Sequence, residues 1–296
     1  VQNQLCHLQY AIENIHFPAS RHDMLIARRR LIFEELFPLS LALSAVRTAR
    51  DTPAPVAMQP VEIEDFLGSL PFALTEAQLR SVREICGDLA GNTPMNRLLQ
   101  GDVGSGKTVV AAFAAWLAAG AGCQAALMAP TEVLAEQHWR SLSALLRPAG
   151  IRVGLLTGGL TQKEKRETRK ALAAGEIDLI IGTHALISPQ VEFRRLALIV
   201  ADEQHRFGVA QRAALAGKSE QGGMPPPHVL VMSATPIPRT LNMALSGVRD
   251  MSGIEQPPQD RQPVQTYVLE HDWGVLADAM RREIARGGQV YYLHNR

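Results

Sequence analysis

The stretch RLLQGDVGSGKTVVAAFAAWLAA, Arg97–Ala119, decides the fold. It opens on a short strand-like run, Arg97–Gln100, passes through a glycine-rich turn, and continues as a helical pattern over Thr108–Ala119. The turn, GDVGSGKT at Gly101–Thr108, fits G-x-x-x-x-G-K-[ST], and a strand before it with a helix after it is the context that pattern requires. Glycines let the backbone wrap closely and turn its N–H groups toward phosphate oxygens, and the helix start adds the positive end of a dipole. Gly101, Asp102, Val103, Gly104, Ser105, Gly106, Lys107 and Thr108 are therefore candidate nucleotide-binding residues. Lys107 would reach the β- and γ-phosphates and Thr108 would hold magnesium through its hydroxyl. A glycine-rich turn with a chance lysine is the competing reading, and the flanking elements weigh against it.

Outward from this loop, short apolar runs alternate with helical patterns. The strand candidates are Arg97–Gln100, Ala125–Ala129, Val153–Leu156, Leu179–Gly182, Leu196–Ala201 and Val229–Ser233. Between them lie the amphipathic stretches Thr108–Ala119, Glu132–Leu146, Gln162–Ala174 and Val209–Ala216. This alternation predicts an α/β fold, a parallel sheet covered by helices on both faces. In such sheets ligands bind at the carboxyl ends of the strands.

Two further motifs fall at those ends. DEQHR, Asp202–Arg206, follows Leu196–Ala201, so Asp202 emerges at a strand end, where a carboxylate can hold a metal, mostly through water, beside Thr108. Glu203 is then placed to orient and activate a water, which makes Glu203, Lys107 and Asp202 the candidate catalytic set and Thr108 with Asp202 the candidate metal set. Alone, an Asp-Glu pair after a strand is often a solvated turn. SATPIPRT, Ser233–Thr240, ends the run Val229–Met232, and its small hydroxyl residues can sense a γ-phosphate through Glu203 or His205.

Residues 1–50 read as helical, with Leu25, Ile26, Leu31, Ile32, Leu36 and Phe37 at helix-like spacing and Pro18 with Ser20 at the entry. Arg28, Arg29 and Arg30 are expected to pair with nearby glutamates on a solvated face rather than bind phosphates. Pro53, Pro55 and Pro60 mark a linker, and Gln256–Pro263 a second one. Past it, a helix over Trp273–Arg286 and a strand over Gln289–Leu293 open another domain. The expected boundaries are a helical segment at 1–55, a nucleotide-binding domain at 56–255, and a linker with the start of a second lobe at 256–296. The chain starts at Val1 and stops just after that last run, so a piece of a larger protein is expected.

Bulk properties narrow the classes. With a net charge of +1, the chain as a whole makes no electrostatic case for nucleic acid, so any such surface is local. Three scattered cysteines and nine unpaired histidines offer neither a disulfide framework nor a metal motif. No signal peptide is visible. The uncharged run Val109–Pro130 could be taken for a membrane span, but Gly120–Gly122 splits it and it follows the phosphate loop, so a buried helix, a turn and a core strand are expected.

The order GDVGSGKT, APTEVLAEQH (Ala129–His138), GTHAL (Gly182–Leu186), DEQHR and SATPIPRT resembles the superfamily 2 helicases, and within them the RecG family of ATP-dependent DNA helicases that remodel stalled replication forks. FGVAQR (Phe207–Arg212), HFP at His16–Pro18 and ARRRLIFEELF (Ala27–Phe37) are similar to the same family. TLNMALSGVRDMS (Thr240–Ser252) and GGQVYYLHNR (Gly287–Arg296) look more like the transcription-repair coupling translocase Mfd.

The resemblance implies a RecA-like first motor lobe, ATP and magnesium as cofactors, and branched or duplex DNA as partner. It also implies a wedge domain and a second RecA-like lobe elsewhere in the parent chain, a monomer, and a bacterial cytoplasmic setting without membrane. It implies that Gln78 bonds the adenine edge and Phe72 packs on its ring, within PFALTEAQ (Pro71–Gln78). His205, Arg206, Ser233 and Thr235 would couple the motifs. Pro130, Thr131, Glu132, Gly158, Thr183 and His184 would contact the DNA backbone, a role that hydroxyls and N–H groups at helix starts can fill without reading sequence. A helix cap is the plainer role for Thr131. Two alternatives stand beside this: an Mfd-like translocase, and a nucleotide-gated DNA-binding module without hydrolysis of its own.

Overall fold

Strand β1 (Asn96–Gly101) carries the phosphate loop at its end, and a parallel sheet assembles around it. The computed structural model of the chain describes residues 5–48, 56–58, 63–202, 214–219, 223–234, 250–255 and 266–294. Among these the sheet has seven strands in the order β3-β4-β2-β5-β6-β1-β7. The others are β2 (Gln124–Met128), β3 (Val153–Leu156), β4 (Leu179–Gly182), β5 (Leu196–Asp202), β6 (His228–Ser233) and β7 (Asp250–Ile254), and every pairing is parallel. This is the parallel α/β sheet expected from the alternation of elements, and the RecA-like arrangement that the resemblance implies.

Every residue of β2 and β5 is buried. A parallel sheet covered on both faces requires that, which explains why these strands read as continuous apolar runs rather than alternating ones. Side chains of alternate parity enter different cores. Ala125, Leu127, Leu198 and Val200 pack with α4 (Glu76–Leu89), α5 (Lys107–Gly120) and α6 (Glu132–Leu146), whereas Ala126, Met128, Ile180 and Ile199 pack with Leu172 of α7 (Gln162–Ala174). α6 and α7 match their expected bounds, because Thr131 and Thr161 cap them and Thr161 forms a full capping box with Glu164.

α5 is apolar nearly all round, and Val109 through Ala115, Leu117 and Ala118 are buried. The run that resembled a membrane span is thus a core helix followed, after a turn at Gly122, by β2. No helix among the described residues is long and apolar enough to cross a membrane. The aromatic side of this core is Phe113 against Phe66 of α3 (Ile63–Gly68), with ring centres 5.4 Å apart.

Two buried polar side chains tie the amino ends of the strands together. Gln124 donates through Nε2 to the carbonyls of Leu172 and Ile177, both at 2.8 Å, and its Oε1 accepts from the N–H groups of Arg194 and Arg195. His228, fully buried, accepts the Met95 N–H at Nδ1 (3.0 Å) and faces the Val56 carbonyl through Nε2 (3.2 Å). That pattern suits the neutral ring, and burial pushes its pKa below the ordinary 6.5. The unfolded chain therefore binds a proton that the fold excludes, so this contribution to stability is present above pH 6.5 and is lost as the pH falls below it. The urea midpoint of wild type should fall on acidification through that range, and His228→Gln should flatten the dependence. An unchanged slope in the variant counts against this assignment.

β7 has no counterpart among the sequence-derived strands. DMSGI lacks an apolar rhythm; its place at the sheet edge comes from pairing with β1 and from Arg97, whose Nη1 donates to Ser252 Oγ at 2.9 Å while its Nε donates to Asp88 of α4 at 2.6 Å. Upstream lie two helices, α1 (Leu8–His16) and α2 (Arg21–Thr48). Ser20 caps α2 by accepting the Asp23 N–H at 3.2 Å, and Arg30, half-buried, pairs with Glu34.

The chain divides into two compact units, Val1–Pro258 and Gln259–Arg296. In the second, α8 (Trp273–Ala285) starts on an Asp272 cap, with Oδ1 accepting from the Gly274 N–H at 2.7 Å. The expected strand over Gln289–Leu293 is not formed: residues 288–294 are described without strand structure. A strand exists only as part of a ladder, and an apolar run by itself cannot supply the partner.

Candidate functional site

Six of the seven strand ends along the carboxyl edge deliver expected site residues. From one side, β3 leads to Gly158, β4 to Thr183 and His184, and β2 to Pro130 and Thr131; then come Asp202 on β5, Ser233 on β6 and the phosphate loop after β1. The edge thus has two halves. The expected nucleic-acid residues occupy one and the expected nucleotide residues the other.

In the nucleotide half the phosphate loop has the backbone the motif demands. Gly104 and Gly106 take φ values of +84° and +85°, a left-handed region that costs other residues roughly 1–2 kcal/mol. Gly106 is also the residue before α5, and no side chain caps that helix. Lys107 Nζ donates to the carbonyls of Gly101 (2.6 Å) and Asp102 (2.9 Å), which holds the ammonium over the loop. Ser105 Oγ is buried and lacks a hydrogen-bond partner. Val103 is exposed and Thr108 half-buried at the helix start.

Gln78 takes part in this loop. Its Oε1 accepts the Thr75 N–H (2.9 Å) in the capping box of α4, and its Nε2 donates to the Ser105 carbonyl (2.8 Å). Phe72 is exposed nearby in sequence. A Cβ at Gly106 would overlap Gln78 Nε2, which both bonds hold in place. Gly106→Ala should accordingly bind a fluorescent ATP analogue about tenfold more weakly, the equivalent of about 1.4 kcal/mol, from left-handed strain together with this overlap. The thermal unfolding midpoint should fall by only a few degrees, about 2–4 °C per kcal/mol, because the loop lies outside the core. Unaltered affinity would show that the loop tolerates a side chain there.

Sheet register fixes the distance between the loop and the carboxylate. Asp202 pairs with Met232, and Met232 with Leu99, so Asp202 lies two strands from β1, about 10 Å at the usual strand spacing. Ser233 pairs with Gln100 and stands between them. Asp202 Oδ2 is 2.7 Å from His138 Nε2, and both side chains are mostly buried. His138 lies inside the quoted APTEVLAEQH stretch, yet sequence reading gave it no role, since nothing in the linear order brings position 138 to position 202. Glu203, His205, Arg206, FGVAQR and Thr235 lie outside the described residues.

In the other half, Thr131 Oγ1 accepts the Leu134 N–H at 3.3 Å, the capping role that physics alone favoured. Glu132 Oε1 accepts the Gly159 N–H at 3.1 Å, and Lys165 donates to the Gly158 carbonyl at 2.6 Å. Gly158 and His184 are exposed and Pro130 is half-buried. Thr183 is buried, with an Oγ1 that has no hydrogen-bond partner.

With this phosphate loop and a strand-end aspartate two strands away, the chain belongs to the DEAD/DEAH box helicase family, whose profile matches residues 75–244. Over nearly its whole length it is RecG-like. It is 47% identical over 294 residues to the ATP-dependent DNA helicase RecG of Synechocystis sp., covering 98% of this chain and 35% of that protein. The transcription-repair-coupling factor of Bacillus subtilis is also 47% identical, over 232 residues, covering 78% of this chain and 19% of that protein. A solved structure of RecG bound to a three-way DNA junction superposes with a TM-score of 0.78 and 40% identity, covering 97% of this chain and 38% of that one. The chain thus spans little more than a third of these RecG proteins.

Proposed function

We propose that this chain is the ATP-binding motor lobe of a RecG-like DNA helicase that remodels branched DNA. The observation that carries the reading is the division of one carboxyl edge into a nucleotide half and a half whose loops present helix starts and hydroxyls, with Asp202 near the boundary. The likeness to a RecG solved on a three-way junction supports branched DNA as the substrate. Residues 56–255 would form the first motor lobe, 1–55 its link to a wedge domain, and 256–296 the start of a second lobe.

The residues present fit ATP and magnesium. An uncapped helix start, two left-handed glycines, an ammonium and an unsatisfied buried hydroxyl all suit phosphate oxygens. No three His, Cys, Asp or Glu side chains gather into a metal site among the described residues. Magnesium is usually held by one or two carboxylates plus phosphate and water, and Asp202 with Thr108 would serve in that way. Bound there, the ion would neutralise charge that develops on the phosphates. Lys107 would hold the β- and γ-phosphates, Glu203 would orient the attacking water, and Ser233 would connect Asp202's strand to the loop. Gln78, which already spans α4 and the Ser105 carbonyl, would place the adenine relative to the phosphates.

The test is ATP turnover by the full-length protein with and without DNA. A junction should stimulate the rate at least about tenfold, and the 296-residue chain alone should turn over slowly, since arginines that stabilise phosphoryl transfer would come from a second lobe. Fast DNA-stimulated hydrolysis by this chain alone, or none by the full-length protein, overturns the reading. The likeness to the coupling factor favours one other outcome: equal stimulation by linear duplex would point to translocation on unbranched DNA.

A further inference from the structure

α6 begins in the half of the edge beyond β2, and two turns later it touches the nucleotide half. Its first turn holds Thr131 and Glu132, and Glu132 is tied to the loop at Gly158–Gly159. Seven residues beyond Thr131, about 10 Å along a helix, His138 meets Asp202 across the boundary between β2 and β5. A carboxylate has no hydrogen to give, so in this contact the imidazole Nε2–H donates to Oδ2. At 2.7 Å, with side-chain exposures of 13% and 12%, the bond is short and shielded from water, and it fixes which way the carboxylate turns.

We propose that His138 is a positioning residue of the ATPase centre. Its ring orients the Asp202 carboxylate toward the magnesium–nucleotide complex, and α6 carries the state of the Pro130–Glu132 corner to that carboxylate. The proposal rests on the nucleotide-site reading above. A phosphate backbone engaged at the corner moves a helix whose N-terminus is anchored there, and a rigid helix passes the displacement two turns along. A shift of about 1 Å is enough to make or break a 2.7 Å bond. DNA occupancy would thereby set the geometry of the metal-holding carboxylate without a contact between DNA and nucleotide.

The experiment uses the full-length protein with His138→Ala and His138→Gln. The glutamine amide can donate to the same oxygen; alanine cannot. Binding of a non-hydrolysable fluorescent ATP analogue is titrated with magnesium, and kcat and KM for ATP are measured with and without junction DNA. Removing a group that orients a metal ligand typically lowers metal affinity or activity about 10- to 100-fold. His138→Ala should therefore shift the magnesium midpoint upward about tenfold and lower the DNA-stimulated kcat by at least as much, with KM moving less. His138→Gln should recover most of both.

Unchanged magnesium midpoint and DNA stimulation in His138→Ala overturn the proposal. So does a glutamine variant that regains wild-type thermal stability but not the magnesium midpoint, which would make the contact merely structural. Should the alanine variant not fold, His138→Leu fills the space without a donor and carries the same expectations. If wild type itself shows no DNA-stimulated turnover, the functional reading fails, while the magnesium titration still decides the role of His138.

Discussion

Lys107→Ala in the full-length protein is expected to cut DNA-stimulated ATP turnover by on the order of a thousandfold, close to background. The ammonium is the one side-chain cation of the loop, and it is held over the loop by the carbonyls of Gly101 and Asp102 at 2.6 and 2.9 Å. In a site shielded from water, a preorganised charge at the position where negative charge develops is worth about 100- to 1,000-fold each, and this lysine also holds the ground-state phosphates. Both binding and turnover should therefore fall. The fold should survive, because these two bonds lie in a loop at the edge of the sheet, away from the core around α5. Steady-state turnover at saturating DNA, together with analogue affinity and thermal unfolding, separates these effects. Residual turnover above about a tenth of wild type would remove Lys107 from the catalytic set.

The second large effect is at Glu203. Its neighbour Asp202 ends β5 at the carboxyl edge, two strands from the loop, and the proposed role of Glu203 is to orient a water attacking a γ-phosphate. Glutamine keeps the shape and removes the basicity. A positioned general base contributes about 10²- to 10⁴-fold, so Glu203→Gln should slow single-turnover hydrolysis by at least a hundredfold. Analogue binding should stay near wild type, in contrast to Lys107→Ala, because the phosphates and the metal keep their holders. Unchanged turnover would remove Glu203 from its role, and with it the argument against a DNA-binding module that does not hydrolyse.

Much of this architecture could be read from the residues. The amphipathic patterns over Glu132–Leu146 and Gln162–Ala174 matched α6 and α7, and the apolar runs Leu196–Ala201 and Val229–Ser233 matched β5 and β6 to within a residue, because short-range physics decides those features. What escaped depended on distant partners. β7 is a strand because β1 lies beside it, and DMSGI carries no signal of that. Gln289–Leu293 has the composition of a strand but lacks the ladder. In the site, the eight-residue loop was legible as a unit since its function lies in consecutive backbone. The bond between His138 and Asp202 spans 64 positions and belongs to the tertiary fold. Gln78 was singled out through family likeness for adenine; its bonds to Thr75 and Ser105 add that it also braces the loop.

The place of β1 in the sheet bears on how the chain is made. Its two neighbours are encoded far downstream: β6 begins 133 positions after Met95, and β7 reaches Arg97 across 154. A ribosome adding roughly 5–20 residues per second releases β1 many seconds before either neighbour emerges. The β2, β3 and β4 group closes over a much shorter interval and can form while synthesis continues. The nascent chain therefore spends that time with its phosphate loop on an unpaired strand, and ATP cannot serve as an early template for folding. Chaperone dependence and premature proteolysis should accordingly concentrate at β1 and α5 until the last strand arrives.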